Sequence, residues 1–195
     1  MELTAQVMTA DDLVSACADA GLPLRLVNGW RERGRGLLSE WGPMAGVVLS
    51  HSGTSGARES VARVMHPSGG LGAQMVVAAD GTVWVTGWGR ASHCGQGSAE
   101  ALAAVRAGRV PRFPVVNSVD GDRYFFGVVA AHSGDARDWW PAAQLDSMAA
   151  LCAVLRRWHR WPGVPVLGQW EWRRGGRGPV GLDMTAMRQM VALHP

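Results

Sequence analysis

Four short apolar runs, "GVVLS" (46–50), "MVVAADGTVWV" (75–85), "YFFGVVAA" (124–131) and "PVLGQWEW" (165–172), are separated by stretches with helical periodicity. Runs of this length, rich in valine and bounded by turn residues, read as buried strands. The second run is interrupted by Asp80-Gly81, a strong short hairpin signal, and predicts two strands joined by a turn. Strands apolar on both sides of the pleat need cover on two faces. The expected architecture is therefore an α/β fold with one central mixed sheet flanked by helices.

The covering helices carry their own signatures. "TADDLVSACADAGL" opens with Thr9 and Asp12 at capping-box spacing, places Leu13, Ala16, Cys17 and Ala20 on one face, and stops at Gly21. "NGWRERGRG" (28–36) reads as a basic loop, and Ser98 to Gly108 as a short helix. "WPAAQLDSMAALCAVLRRWHRW" predicts the longest helix, with Pro141 in its first turn and Leu145, Met148, Cys152 and Leu155 facing inward. A glycine-rich basic loop, "RRGGRGPVG", precedes the last helix, "DMTAMRQMVAL". A chain of 195 residues can bury about 70% of its unfolded surface. One domain is expected over 1–195, with an N-terminal helix and loop over 1–45 and the core over 46–195.

Composition excludes several classes. With 47% hydrophobic and 18% charged residues, the chain is not of the disordered type. No apolar run reaches the roughly 20 residues of a membrane span, and "MELTAQVMTADD" lacks the form of a signal peptide, so a leaderless chain without membrane insertion is expected. All 19 basic residues are arginine; lysine and isoleucine are absent, a bias typical of GC-rich coding. A net charge of +3 spread along the chain makes no nucleic-acid stripe, although it favours an anionic surface such as a cell wall. Three cysteines without CxxC spacing indicate neither a disulfide framework nor a zinc finger.

The order of seven pieces, "GWRERGRG", "GVVLSHSGT", "DGTVWV", "GRASHCGQGS", "RYFFGVVAAHSG", "WPAAQLDSMAALCAVLRRW" and "VLGQWEWRRGGRGPVGLDM", resembles the type 2 N-acetylmuramoyl-L-alanine amidases and peptidoglycan recognition proteins, phage endolysins especially. The resemblance implies that family's fold. It also implies a zinc hydrolase that cuts the muramoyl–L-alanine amide bond, the metal held by two His and one Cys or Asp with a water in the fourth position. In this chain the three ligand positions carry Ser50, Gln169 and Pro179. The supporting positions carry Ala73 for a tyrosine, Val129 for a glutamate and Arg177 for a lysine. A hydroxyl is a poor zinc ligand at neutral pH, an amide carbonyl is weak, and proline offers no side-chain donor.

The expectation is thus a catalytically inactive amidase-like domain with no cofactor, all six positions vestigial. His51, Thr54, His93, Trp170 and Arg177 remain as candidate binding residues, with His93 matching a histidine that lines the family's substrate groove. His51 cannot replace Ser50, because adjacent side chains on a strand point to opposite faces. The alternative is an active zinc amidase with a rearranged site: were "GQWEW" extended, Glu171 would share a face with Gln169, and His93 or His132 could add donors. Expected partners are peptidoglycan or other virion proteins, with homo-oligomerisation left open. The expected location is the virion, or the host cytoplasm before lysis. A protein-binding regulator is a third class.

Ten tryptophans are expected mostly to fill core, and Trp170, facing away from Gln169 on an extended segment, serves packing as readily as binding. His66, His159 and His194 are expected to face solvent. The "RRGGRG" loop is expected to be solvated.

Overall fold

The computed structural model describes residues 7–34, 40–65 and 70–194. Elements follow in the order α1 (Ala10–Asp19), β1 (Leu24–Leu26), β2 (Gly46–His51), α2 (Ala57–Val64), β3 (Met75–Val77), β4 (Val83–Val85), β5 (Gln96–Gly97), α3 (Ala99–Arg106), β6 (Val119–Asp120), β7 (Phe125–Ala130), α4 (Ala142–His159), β8 (Val166–Gly168), α5 (Gln169–Trp172) and α6 (Met184–Leu193). Six strands form one sheet in the order β1-β4-β3-β7-β2-β8, antiparallel between β3 and β4 and parallel elsewhere. The expected mixed sheet is present. β5 and β6 make a separate two-stranded ribbon.

Alternation along each strand divides the residues between two faces. Val47, Leu49, Met75, Val77, Phe126, Val128 and Ala130 lie in the main core with Leu13 and Cys17 of α1, most of α4, and Met184, Met187 and Val191 of α6. On the other face, Val48, Phe125 and Leu167 pack with Leu102, Val105 and Trp172, while Val76 and Val129 pack with Val61, Val64 and Ala73. Gly127 lies between these two clusters, in register with Val48.

Local signals act as read. Thr9 and Asp12 form the reciprocal capping box of α1. The β3–β4 hairpin turns at Asp80-Gly81, where Gly81 has φ +86° and a Cβ would meet Ser147 Oγ at 2.7 Å. α4 runs as expected, except that Pro141 is its N-cap residue and Arg160 ends it in the left-handed region at φ 53°. β1 and α2 were not expected from the sequence. The end of the "NGWRERGRG" loop, and His66, lie outside the described residues.

The largest departure concerns "QWEW", expected as extended and folded as the short helix α5. The Glu171 carboxylate accepts the Gly168 N–H at 2.9 Å and pairs with the Arg188 guanidinium from α6. A buried carboxylate needs such partners. Satisfying them turns the chain back on itself at the end of β8.

Candidate functional site

Parallel strands leave their carboxyl ends at one edge, where β2 and β8 run side by side with Leu49 opposite Gly168. Ser50 and Gln169, each one residue further on, therefore emerge together. Pro179 reaches the same place from the loop after α5, its Cδ 3.1 Å from where a Cβ on Gly168 would lie. Ser50 is also in register with Val129, which packs with Ala73. Four of the six positions singled out in the sequence thus converge on the carboxyl end of the sheet; Ala73 precedes β3, about three residues back from that level, and Arg177 is exposed on the loop above.

The Gln169 amide atoms are engaged with protein. Gln169 donates from Nε2 to the carbonyl of His93 at 3.3 Å, and its Oε1 accepts the Arg177 N–H at 3.4 Å. One amide thus bridges two loops with both of its heteroatoms. Pro179 is buried and brings no donor.

His51 points to the opposite face from Ser50, as alternation requires. Its Nδ1 accepts the Val180 N–H at 3.4 Å, and its ring fits against Gly134 and Gly178, where a Cβ would approach it to 2.2 and 2.9 Å. Burial and the neighbouring His132 hold the pKa of His51 below its usual value. His132 stacks flat on Trp140 at 4.1 Å and accepts the Gly134 N–H at Nδ1. Two backbone N–H groups therefore fix the orientation of both rings.

His93 does not line an open groove. Its side chain is only 2% exposed and lies over Gly127, where a Cβ would come within 2.6 Å of its Cγ. Burial pushes its pKa down, against the opposing charge of Asp122. The Asp122 carboxylate accepts N–H groups from His93, Cys94 and Gly95 through one oxygen, at 3.0, 2.9 and 3.0 Å. Despite its burial, the carboxyl pKa is lowered by the His93 imidazole and these three donors. Ligand atoms of His93, Cys94 and Asp122 lie within 4.8 Å of one another, the one such trio of His, Cys, Asp or Glu among the described residues. His93 Nδ1 lies 3.2 Å from the Ala91 carbonyl and can only donate to it, so the Nε2 lone pair is left buried without a hydrogen-bond partner among the described residues. Burial raises the Cys94 thiol well above its usual pKa.

Other candidates fall elsewhere. Thr54 sits at the β2–α2 turn, hydrogen-bonded through its hydroxyl to Glu59. Trp170 packs, half-buried, against the main core, with its indole beside Gly168. Glu171 is enclosed by its bonds to Gly168 and Arg188, and the helical turn removes it from the face of Gln169. His159, expected at the surface, is buried between Trp158 and Trp161 and parallel to the latter at 4.7 Å; burial pushes its pKa down to about 4. His194 is half-buried, 3.2 Å from Asp146. The tryptophans mostly serve the core as expected, with Trp139 the exception at 91% exposed. All three cysteines are buried and free. Sequence reasoning missed the Asp122 anchor; an aspartate 28 residues beyond Cys94 gives no local signal of that contact.

Comparison with known proteins places this geometry. The family profile described as N-acetylmuramoyl-L-alanine amidase matches residues 40–177. No curated protein sequence matches the chain. Among solved structures, the endolysin N-acetylmuramoyl-L-alanine amidase LysCS from Clostridium intestinale superimposes with a TM-score of 0.54 at 11% identity, covering 87% of this chain and 95% of its own. The Ph2119 endolysin from a Thermus scotoductus bacteriophage gives 0.54 at 16% identity, over 86% and 99%. An AmpD derivative gives 0.53 at 17%, over 86% and 99%. At these identities the superpositions speak for the fold alone. Among the described residues no helix is long and apolar enough to cross a membrane.

Proposed function

Because the chain belongs to the N-acetylmuramoyl-L-alanine amidase family, we propose that it keeps the family's scaffold for engaging peptidoglycan without zinc-dependent hydrolysis. The observation that carries this reading is the engagement of Gln169. At a position where the family places a metal-binding imidazole, an amide spends its acceptor on Arg177 and its donor on His93. With Ser50 offering a hydroxyl and Pro179 offering nothing, the three converging positions do not fit a zinc ion. No hydrolytic step is derived through the metal. What the residues do instead is hold the loops: Gln169 ties the segments of His93 and Arg177, and His51 ties Val180 to the end of β2.

Peptidoglycan is the partner class favoured by the family relationship. Docking within a phage particle is the finer alternative for the same non-hydrolytic domain. A rearranged active site has two observations in its favour, the proximity of His93, Cys94 and Asp122 and the buried Nε2 of His93, unpartnered among the described residues. Against it stand the three backbone donors already on Asp122 and the ion pair that occupies Glu171.

The test uses the purified chain. After incubation with zinc and desalting, elemental analysis is expected to find no stoichiometric metal, and sacculi are expected to release no L-alanyl peptides. Retention on insoluble peptidoglycan is expected to persist. One zinc per chain together with peptide release overturns the reading. Failure to pellet with peptidoglycan, combined with many copies in purified virions, assigns the domain to docking.

A further inference from the structure

Between α3 and β6 the chain runs for ten residues, 109–118, without regular secondary structure. It presents four large apolar side chains to solvent: Val110, Phe113, Val115 and Val116, each 63 to 69% exposed. So many exposed apolar groups within seven residues mark an interaction surface. Arg109 and Arg112 are exposed between and beside them, and no acidic residue occurs from Ala101 to Val119.

The strap is fastened at both ends. At its start, Gly108 packs on the 162–163 turn so closely that a Cβ on Gly163 would lie 2.5 Å from the Gly108 carbonyl. Near its end, the Asn117 side chain accepts the Arg174 N–H at 2.9 Å and donates to the Arg174 carbonyl at 3.1 Å. That double bond to the backbone brings the "RRGGRG" loop, with exposed Arg174 and Arg177, against the apolar strap. None of Arg109, Arg112, Arg174 and Arg177 pairs with an acid among the described residues. Val110 also lines a groove of about 320 Å³ with Val164 and Ala192, which extends the apolar area.

We propose that this strap and the adjoining arginines form a docking surface for an anionic lipid bilayer. An anionic sugar polymer would satisfy the arginines but leave Phe113 and the valines in water. An edge-on β-partner is disfavoured because Pro111 and Pro114 lack the N–H groups that strand pairing uses. A lipid interface accepts both kinds of group: headgroups neutralise the guanidinium ions while the apolar side chains enter the acyl boundary. The association is peripheral and involves no spanning helix. It does not depend on the zinc reading above.

Co-sedimentation of the whole chain with vesicles tests it. Vesicles of phosphatidylglycerol and phosphatidylcholine in equal parts are expected to carry the protein down, and phosphatidylcholine alone to leave it in solution. Replacing Arg109 and Arg112 together by Gln is expected to weaken binding about twenty-five-fold, at roughly fivefold per arginine. The triple variant Phe113→Ser, Val115→Ser, Val116→Ser is expected to weaken it at least about tenfold with an unchanged melting temperature, because these side chains are exposed. No binding to the anionic vesicles, or equal binding by the triple variant, overturns the proposal. So does a dimer in sedimentation velocity that Phe113→Ser dissolves, which would assign the patch to a second copy of the chain.

Discussion

Gln169 donates its side-chain amide to the backbone carbonyl of His93 at 3.3 Å, joining the first residue after β8 to a loop 76 positions earlier. The same amide accepts the Arg177 N–H. Gln169→Ala removes both bonds and is expected to cost about 1 to 3 kcal/mol, since each typically contributes about 0.5 to 1.5 kcal/mol. Urea unfolding of the two proteins measures the difference. If the amide has replaced a metal as the tie at this point, adding a chelator leaves the midpoint of the natural chain unmoved; a chelator-induced drop would show a metal still holding the loops.

The buried pair Glu171–Arg188 makes a second expectation. Both side chains are about nine-tenths buried, and Glu171 also caps the turn at Gly168. Arg188→Met leaves a carboxylate enclosed without its cation, for which about 3 to 5 kcal/mol of destabilisation is expected. Glu171→Gln combined with Arg188→Met restores neutrality and is expected to recover a good part of that loss. Equal stability of the single and double variants would mean the pair is not coupled.

Those two residues also show where sequence reading stopped. Gln-Trp-Glu-Trp alternates with the period of a strand, yet it folds as a helical turn because Glu171 finds Gly168 three residues back and Arg188 17 residues ahead. The second partner is invisible to any local pattern. The capping box at Thr9, the Asp80-Gly81 turn and the long helix α4 were legible because their causes lie within a few residues. β1 was not: Leu24–Leu26 is three mostly exposed residues whose extended state comes from pairing with Val83–Val85. α2 did carry a signal, Ser60, Val61 and Val64 on one side with Glu59 and Arg63 one turn apart, but the glycine-rich turn before it masked the start. At the candidate site, the opposed faces of Ser50 and His51 followed from strand periodicity. The burial of His93 did not, since it depends on Gly127 leaving room on a strand paired elsewhere.

Acid should weaken the fold through His159. Its pKa, 6.5 when unperturbed, is pushed down to about 4 by burial among aromatic rings. The folded state therefore binds fewer protons than the unfolded chain. Its contribution is fully present above pH 6.5 and is lost as pH falls towards 4, to a limit of about 3 kcal/mol. His51 and His93 are shifted in the same direction, so the informative quantity is a difference. His159→Phe keeps the stack on Trp161 and is expected to flatten the decline in stability between pH 6.5 and 4.5, measured by chemical unfolding. An unchanged slope would show that His159 does not contribute to it.

The contact between His93 and Gly127 can be weighed by a double-mutant cycle. A methyl group on Gly127 would lie 2.6 Å from His93 Cγ and 2.8 Å from its Cβ, so Gly127→Ala forces the ring out of its seat. Overpacking of this kind typically costs about 1 to 3 kcal/mol. His93→Ala alone leaves a cavity, but it also vacates the volume that the new methyl needs. The double variant is therefore expected to be more stable than the sum of the two single losses predicts, by at least about 1 kcal/mol. Simple additivity would mean that the imidazole does not rest on Gly127, and the ring would then be free to line a groove after all.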